Sequence, residues 1–178
     1  MKTTFGLLFV SLLVMNGSAA AADDAAPAGF VEFTKLFNPT MRCNMKWSAG
    51  FFAPDAAATT ATATIAFKQL SPVLFSIHFV QGKPGGPTSL DLWEFFSHDG
   101  ERFDRVLYGA GPGAWHGTAP KWEGAVLRFV SDHTAQCEKR EQSGALTITR
   151  RGPKEFGFQV QTAGPDGTWV ELGSGACK

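Results

Sequence analysis

A period-two alternation of apolar and polar residues, repeated in short runs along most of the chain, constrains this sequence more than any other feature. Residues 60–70 (TATATIAFKQL) place Ala61, Ala63, Ile65 and Phe67 on one phase and Thr60, Thr62, Thr64, Ala66 and Lys68 on the other. Residues 73–80 (VLFSIHFV) set Phe75, Ile77 and Phe79 against Ser76 and His78. Successive side chains of a strand point to opposite faces, so such a run buries one face and wets the other. The β-branched and aromatic residues that fit a pleated, half-buried surface are abundant in these runs. Further strand-length runs occupy residues 90–97, 102–108, 123–131, 145–150, 155–162 and 168–177, and the pattern begins near Arg42.

The connections between runs are short and turn-prone. Asp99-Gly100, Gly152-Pro153 and Pro165-Asp166-Gly167 each separate two strand candidates. Tight turns of this kind join antiparallel neighbours. One helix is predicted, over residues 28–38 (AGFVEFTKLFN), where Phe30, Phe33 and Phe37 recur at helical spacing and Pro39 stops the run. About eight to ten strands with no helix between them predict an all-β, antiparallel up-and-down barrel, closed at one end by the short N-terminal helix. A Greek-key sandwich needs long crossings, and the hairpin-length connections argue against it.

The N-terminus reads as an address. Lys2 precedes the apolar run 5–14 (FGLLFVSLLV), and Ala20-Ala21-Ala22 leads into Asp23-Asp24. This is the grammar of a secretory signal peptide, with cleavage expected near Ala22. The apolar run is too short for a spanning helix, which needs about 20 residues. Residues 1–22 are therefore expected to be removed, 23–28 to form a flexible tail, and 29–178 to form one barrel domain in the periplasm or outside the cell. No later run is long enough to span a bilayer as a helix, so no integral membrane segment is expected in the mature chain.

Charge excludes some partners and motifs exclude some chemistry. Lys plus Arg and Asp plus Glu balance at 16 each, which lacks the basic excess of a nucleic-acid binder. His78, His98, His116 and His133 have no metal-ligand spacing and no haem-attachment motif, so neither metal nor cofactor is expected. Gly173-Ser174-Gly175 lacks the strand–elbow–helix setting of a catalytic serine. In Gly109-Ala110-Gly111-Pro112-Gly113, Pro112 removes an amide donor and no helix follows, so the tract reads as a loop at the barrel mouth. Glu138 and Glu141 lie among Lys139 and Arg140 as a solvated face.

The order of motifs resembles an uncharacterised family of exported bacterial proteins with a lipocalin-like (calycin) domain of unknown function. Met41-Arg42-Cys43 stands where the family has a Trp-x-Cys element after a short helix, and Lys121-Trp122-Glu123-Gly124 where it has Gly-Trp-x-Gly. Strands like 146–150 and 156–161 follow, then the turn Asp166-Gly167-Thr168-Trp169 and the terminal Cys177-Lys178. The similarity covers most of residues 30–178. It implies a lipocalin-like barrel and lends no activity.

Three cysteines in an exported chain permit one disulfide and one spare thiol. In a closed up-and-down barrel the first strand pairs with the last, which brings Cys43 beside Cys177 and leaves Cys137 free as an inert thiol. Phe67, Phe75, Phe79, Trp93, Phe95, Phe129, Phe156 and Phe158 are read on the apolar phases of their strands and are expected to point inward. A barrel of about eight strands is either just filled by its side chains or holds one small ligand. The first expectation is that these aromatics line a site for a small hydrophobic or amphipathic molecule. The second is a packed barrel acting through its surface as a structural or interaction module of the cell envelope. A hydrolase or isomerase with a site at the barrel mouth stands third.

Overall fold

A computed structural model describes residues 26–109, 114–131, 143–164 and 166–178. Helix α1 (Ala28–Thr34) precedes strands β1 (Thr40–Trp47), β2 (Thr59–Ser71), β3 (Leu74–Gln81), β4 (Leu90–His98) and β5 (Phe103–Tyr108). Strands β6 (Ala114–Ala119), β7 (Val126–Ser131), β8 (Gly144–Gly152), β9 (Glu155–Ala163) and β10 (Trp169–Cys177) complete the order. Every strand pairs antiparallel with its chain neighbour, and β1 also pairs with β10, so the sheet closes on itself as a barrel. Closure removes the exposed strand edges that an open sheet would present. No helix among the described residues is long and apolar enough to cross a membrane.

The predicted alternation is visible strand by strand. Met41, Cys43, Met45 and Trp47 of β1 are buried, while the residues between them are exposed. Ala63, Ile65 and Phe67 of β2 stand opposite Gln81, Phe79 and Ile77 of β3 on the inner face. Cys43 lies directly opposite Cys177 across the β1–β10 seam, and the two form a disulfide with their Cα atoms 4.1 Å apart. Arg42 and Lys178 exchange both backbone bonds, which makes the neighbouring cysteine pair the closely spaced, non-hydrogen-bonded kind. The bridge thus ties the strands that close the barrel. Cys137 lies outside the described residues.

Strand β6 has no counterpart among the predicted strands. Its inward positions include Gly117 and Ala119, which stand opposite Arg105 and Phe103, so it lacks the bulky alternation that marks its neighbours. Helix α1 is also shorter than its apolar spacing predicts. After Thr34 the chain tightens into three-residue turns, with Leu36 N bonded to Phe33 O and Phe37 N to Thr34 O. Asn38, preceding Pro39, is disfavoured from the helical region. The tightening still turns Phe37 inward, where its ring stacks on Phe67 at 5.2 Å.

A helix of seven residues does not stand alone in water. Here Phe30 and Phe33 are fully buried in the barrel end, and Leu36 and Phe37 nearly so. Polar latches hold the rim. Trp122 Nε1 donates to Gly29 O at 3.2 Å, Arg150 Nη2 to Glu32 Oε2 at 3.0 Å and Lys154 Nζ to Phe37 O at 2.7 Å. The Arg150 guanidinium also lies over the Trp122 ring at 4.9 Å. Burial therefore supplies the stability that the helix lacks intrinsically.

Candidate functional site

The chain enters β1 from the helix, so alternate strand ends define two ends of the barrel. α1 closes one; at the other, β1, β3, β5, β7 and β9 end and β2, β4, β6, β8 and β10 begin. The interior divides accordingly.

At the helix end the aromatics are packed against one another. The Phe33 ring lies 5.0 Å from Phe75, 5.2 Å from Phe96, 5.8 Å from Phe103 and 6.3 Å from Phe129. The Phe37 ring lies 5.2 Å from Phe67 and 5.1 Å from Phe156. Four of the expected lining residues, Phe67, Phe75, Phe129 and Phe156, therefore face inward and belong to a filled core. Phe79 and Phe158 also face inward, higher in the barrel, where Phe79 is buried and Phe158 half-buried.

The mouth half is built differently. Leu90, Leu92, Leu107, Trp115, Phe158 and Val160 occupy inward positions yet keep part of their surface accessible. Two tryptophans lie flat on glycines of the wall. Trp47 faces Gly173 across the β1–β10 pair, and a Cβ at Gly173 would strike its ring. Trp115 reaches from β6 over β7 to Gly144 on β8, where an added Cβ would fall inside the indole. The glycines are what let both rings lie against the wall. Trp47 Nε1 donates to Gln81 Oε1 at 2.8 Å, and Gln81 Nε2 donates to Thr88 O at 2.8 Å. Phe51 and Phe52 of the β1–β2 connection pack on the same ring at 4.3 and 5.8 Å, covering that side of the mouth.

One ion pair sits among these apolar groups. Glu94 of β4 and Arg105 of β5 face inward, and Arg105 Nε donates to Glu94 Oε2 at 2.7 Å. Their side chains are 15% and 5% exposed, so both charges are largely withdrawn from water. The guanidinium also lies 5.7 Å from the centre of the Trp115 ring. Burying a charge pair costs several kcal/mol per ion and is only repaid by close pairing. A hydrophobic pair of similar size would pack there without that cost.

Trp93 and Phe95 do not point inward, and the expectation for them is corrected. Trp93 is 45% exposed on the outer face, where His78 stacks on it at 4.2 Å and bonds Asp91 Oδ1 at 2.7 Å. Phe95 shares that face with Tyr108, which is 49% exposed, at 6.0 Å between rings. Strand β4 carries apolar side chains on both phases, and Glu94 makes the buried phase look polar. The charge is tolerated inside because Arg105 neutralises it. Glu94, Arg105 and Trp115 were absent from the expected site for the same reason: a lone acidic residue in β4 and a lone basic one in β5 signal nothing until the register brings them together. His78 lies outside, as its phase predicts.

Among the described residues no three His, Cys, Asp or Glu side chains gather into a group able to hold a metal. Comparison with known proteins adds fold and nothing more specific. No family model matches the chain, and no curated protein matches it. Among solved structures, the crystal structure of Rv2717c from M. tuberculosis is similar, with a TM-score of 0.61 at 10% identity. That likeness covers 86% of this chain and 98% of the other. At this identity it speaks for the barrel alone.

Proposed function

We propose that this chain is an exported binding protein that holds one small apolar or amphipathic molecule in the mouth half of its barrel. The supporting observation is the division of the interior. Phenylalanine rings fill the helix end, while inward side chains at the mouth keep accessible apolar surface around one charged pair among the described residues. A concave apolar site with a few converging polar groups is the usual form of a small-molecule site. Export and a lipocalin-like affiliation belong to the same proposal. The signal-like residues 1–22 support export, and the Cys43–Cys177 disulfide suits an oxidising compartment.

A second reading rests on the outer face. Trp93, Phe95 and Tyr108 form an aromatic patch there, which favours an envelope module that works through its surface. Titration of the mature protein with the uncharged probe N-phenyl-1-naphthylamine separates the two. The carrier reading expects saturable binding of one probe, energy transfer from Trp115 that is lost in Trp115→Phe, and no change in Trp93→Ala. Probe binding that disappears in Trp93→Ala and survives in Trp115→Phe transfers the site to the surface.

A further inference from the structure

We infer, resting on the carrier reading, that the guest presents an uncharged polar head group, a primary amide or an alcohol on an apolar chain, to Glu94 and Arg105. Arg105 is 4% exposed, and its one hydrogen-bond partner among the described residues is Glu94, reached through Nε. A guanidinium carries five N–H donors in a fixed fork, and among the described residues neither Nη group has an acceptor. Among the described residues Glu94 in turn accepts from Arg105 alone, through Oε2. The pair therefore offers donors and an acceptor side by side within the apolar lumen.

Charge decides which head group fits. At inward positions of the mouth half, Glu94 and Arg105 are the charged side chains among the described residues, and they cancel. Arg150 lies at the far end, paired with Glu32. A carboxylate seated on Arg105 would carry the cluster to a net negative charge beside Glu94, with little water to screen it. A carbonyl or hydroxyl oxygen accepts from the Arg105 Nη groups at no such cost, and its N–H or O–H donates to the Glu94 carboxylate. The chain of the guest then runs along Leu92, Leu107, Trp115 and Val160, which face the same lumen. This is the reverse of a site for free fatty acids, where an unpaired cation would meet the head group.

The test is calorimetric titration of the mature chain near neutral pH with decanamide, decan-1-ol and decanoate, repeated on Glu94→Gln. Wild type should bind the amide and the alcohol about ten-fold or more tighter than decanoate, the scale on which like charges discriminate. Glu94→Gln, which keeps the shape and removes the negative charge, should shift the ratio of decanoate to decanamide affinity by about ten-fold in favour of decanoate. Circular dichroism checks that the variant folds, and the wild-type ratio stands by itself if it does not. Wild type that binds decanoate as tightly as the amide, or a folded Glu94→Gln with an unchanged ratio, overturns the inference and leaves the carrier reading intact. No binding of any of the three to wild type, together with no lumenal binding of the naphthalene probe, overturns both.

Discussion

Replacing Phe33 by Ala tests whether α1 is a structural plug. Phe33 is fully buried, and six rings surround it: Phe75, Phe96, Phe37, Phe103, Trp122 and Phe129, with centroids 5.0 to 6.3 Å away. Truncating a buried Phe costs about 3–5 kcal/mol, the larger values arising where the site cannot collapse. Edge-to-face ring pairs add about 0.5–1.5 kcal/mol beyond burial, though several pairs to one ring do not sum. The barrel walls are fixed by their ladders and cannot close on the void, so the expected loss is about 5 kcal/mol. With a urea slope of about 2 kcal/mol per molar, the midpoint should fall by about 2.5 M. Urea titration with the disulfide intact, followed by circular dichroism and by tryptophan fluorescence, reads this directly. Trp93→Ala, on the exposed outer face, serves as the control and should cost less than about 1 kcal/mol. A Phe33→Ala loss under about 1.5 kcal/mol with an unchanged slope would refute the reasoning. It would mean that the helix end is loosely packed and the division of the interior is wrong.

Other outcomes follow from the same geometry. Removing both Cys43 and Cys177 frees a loop of 134 residues' separation. On the chain-entropy model this should cost about 5 kcal/mol, or a fall in Tm of about 10–20 °C. Non-reducing peptide mapping should find the Cys43–Cys177 pair, and Cys137 in a bridge would contradict it. Gly144→Ala should expel the Trp115 ring from the wall, costing about 1–3 kcal/mol and shifting its emission. The cost should shrink when Trp115 is also replaced by Ala, and an additive double variant would contradict the contact. Asp99 and Asp166 cap exposed turns. Hydrogen bonds from the Arg102 and Glu101 amides hold the first below its ordinary 3.8, and the Thr168 hydroxyl and amide do the same for the second. The unfolded chain takes up these protons first on acidification. The stabilisation is therefore complete above 3.8 and drains as pH falls through the lowered folded-state values. Urea midpoints of Asp99→Asn/Asp166→Asn should differ from wild type above that window and converge below it. A constant difference across the window would contradict this.

What could be read in advance depended on whether one face of a strand was uniformly apolar. Strands β2 and β3 show their inner face in the pattern itself, since Ile65, Phe67, Phe75 and Phe79 share phases with no charge. The Cys43–Cys177 pairing also followed, because closure brings the first and last strands together whatever the loops do. Strand β4 resisted, because Glu94 lies inside and Trp93 outside, and only pairing with β5 shows which charge is compensated. Strand β6 resisted for the opposite reason. Gly117 has no side chain with which to mark a phase, and its role is set by Arg105 opposite. Cross-strand relations of this kind are fixed by register, which a single run of residues does not carry. The candidate site lies where local pattern and fold disagree.

On the carrier reading, the mouth half of the barrel holds a guest while the helix half is solid. Native mass spectrometry of the mature chain, exported and purified without detergent and followed by organic extraction, tests it most directly. One stoichiometric apolar adduct is expected, diminished in Trp115→Ala and retained in Trp93→Ala. A bare protein mass, unmoved by decanamide or any other apolar guest, would contradict it and leave a packed barrel that acts through its outer face.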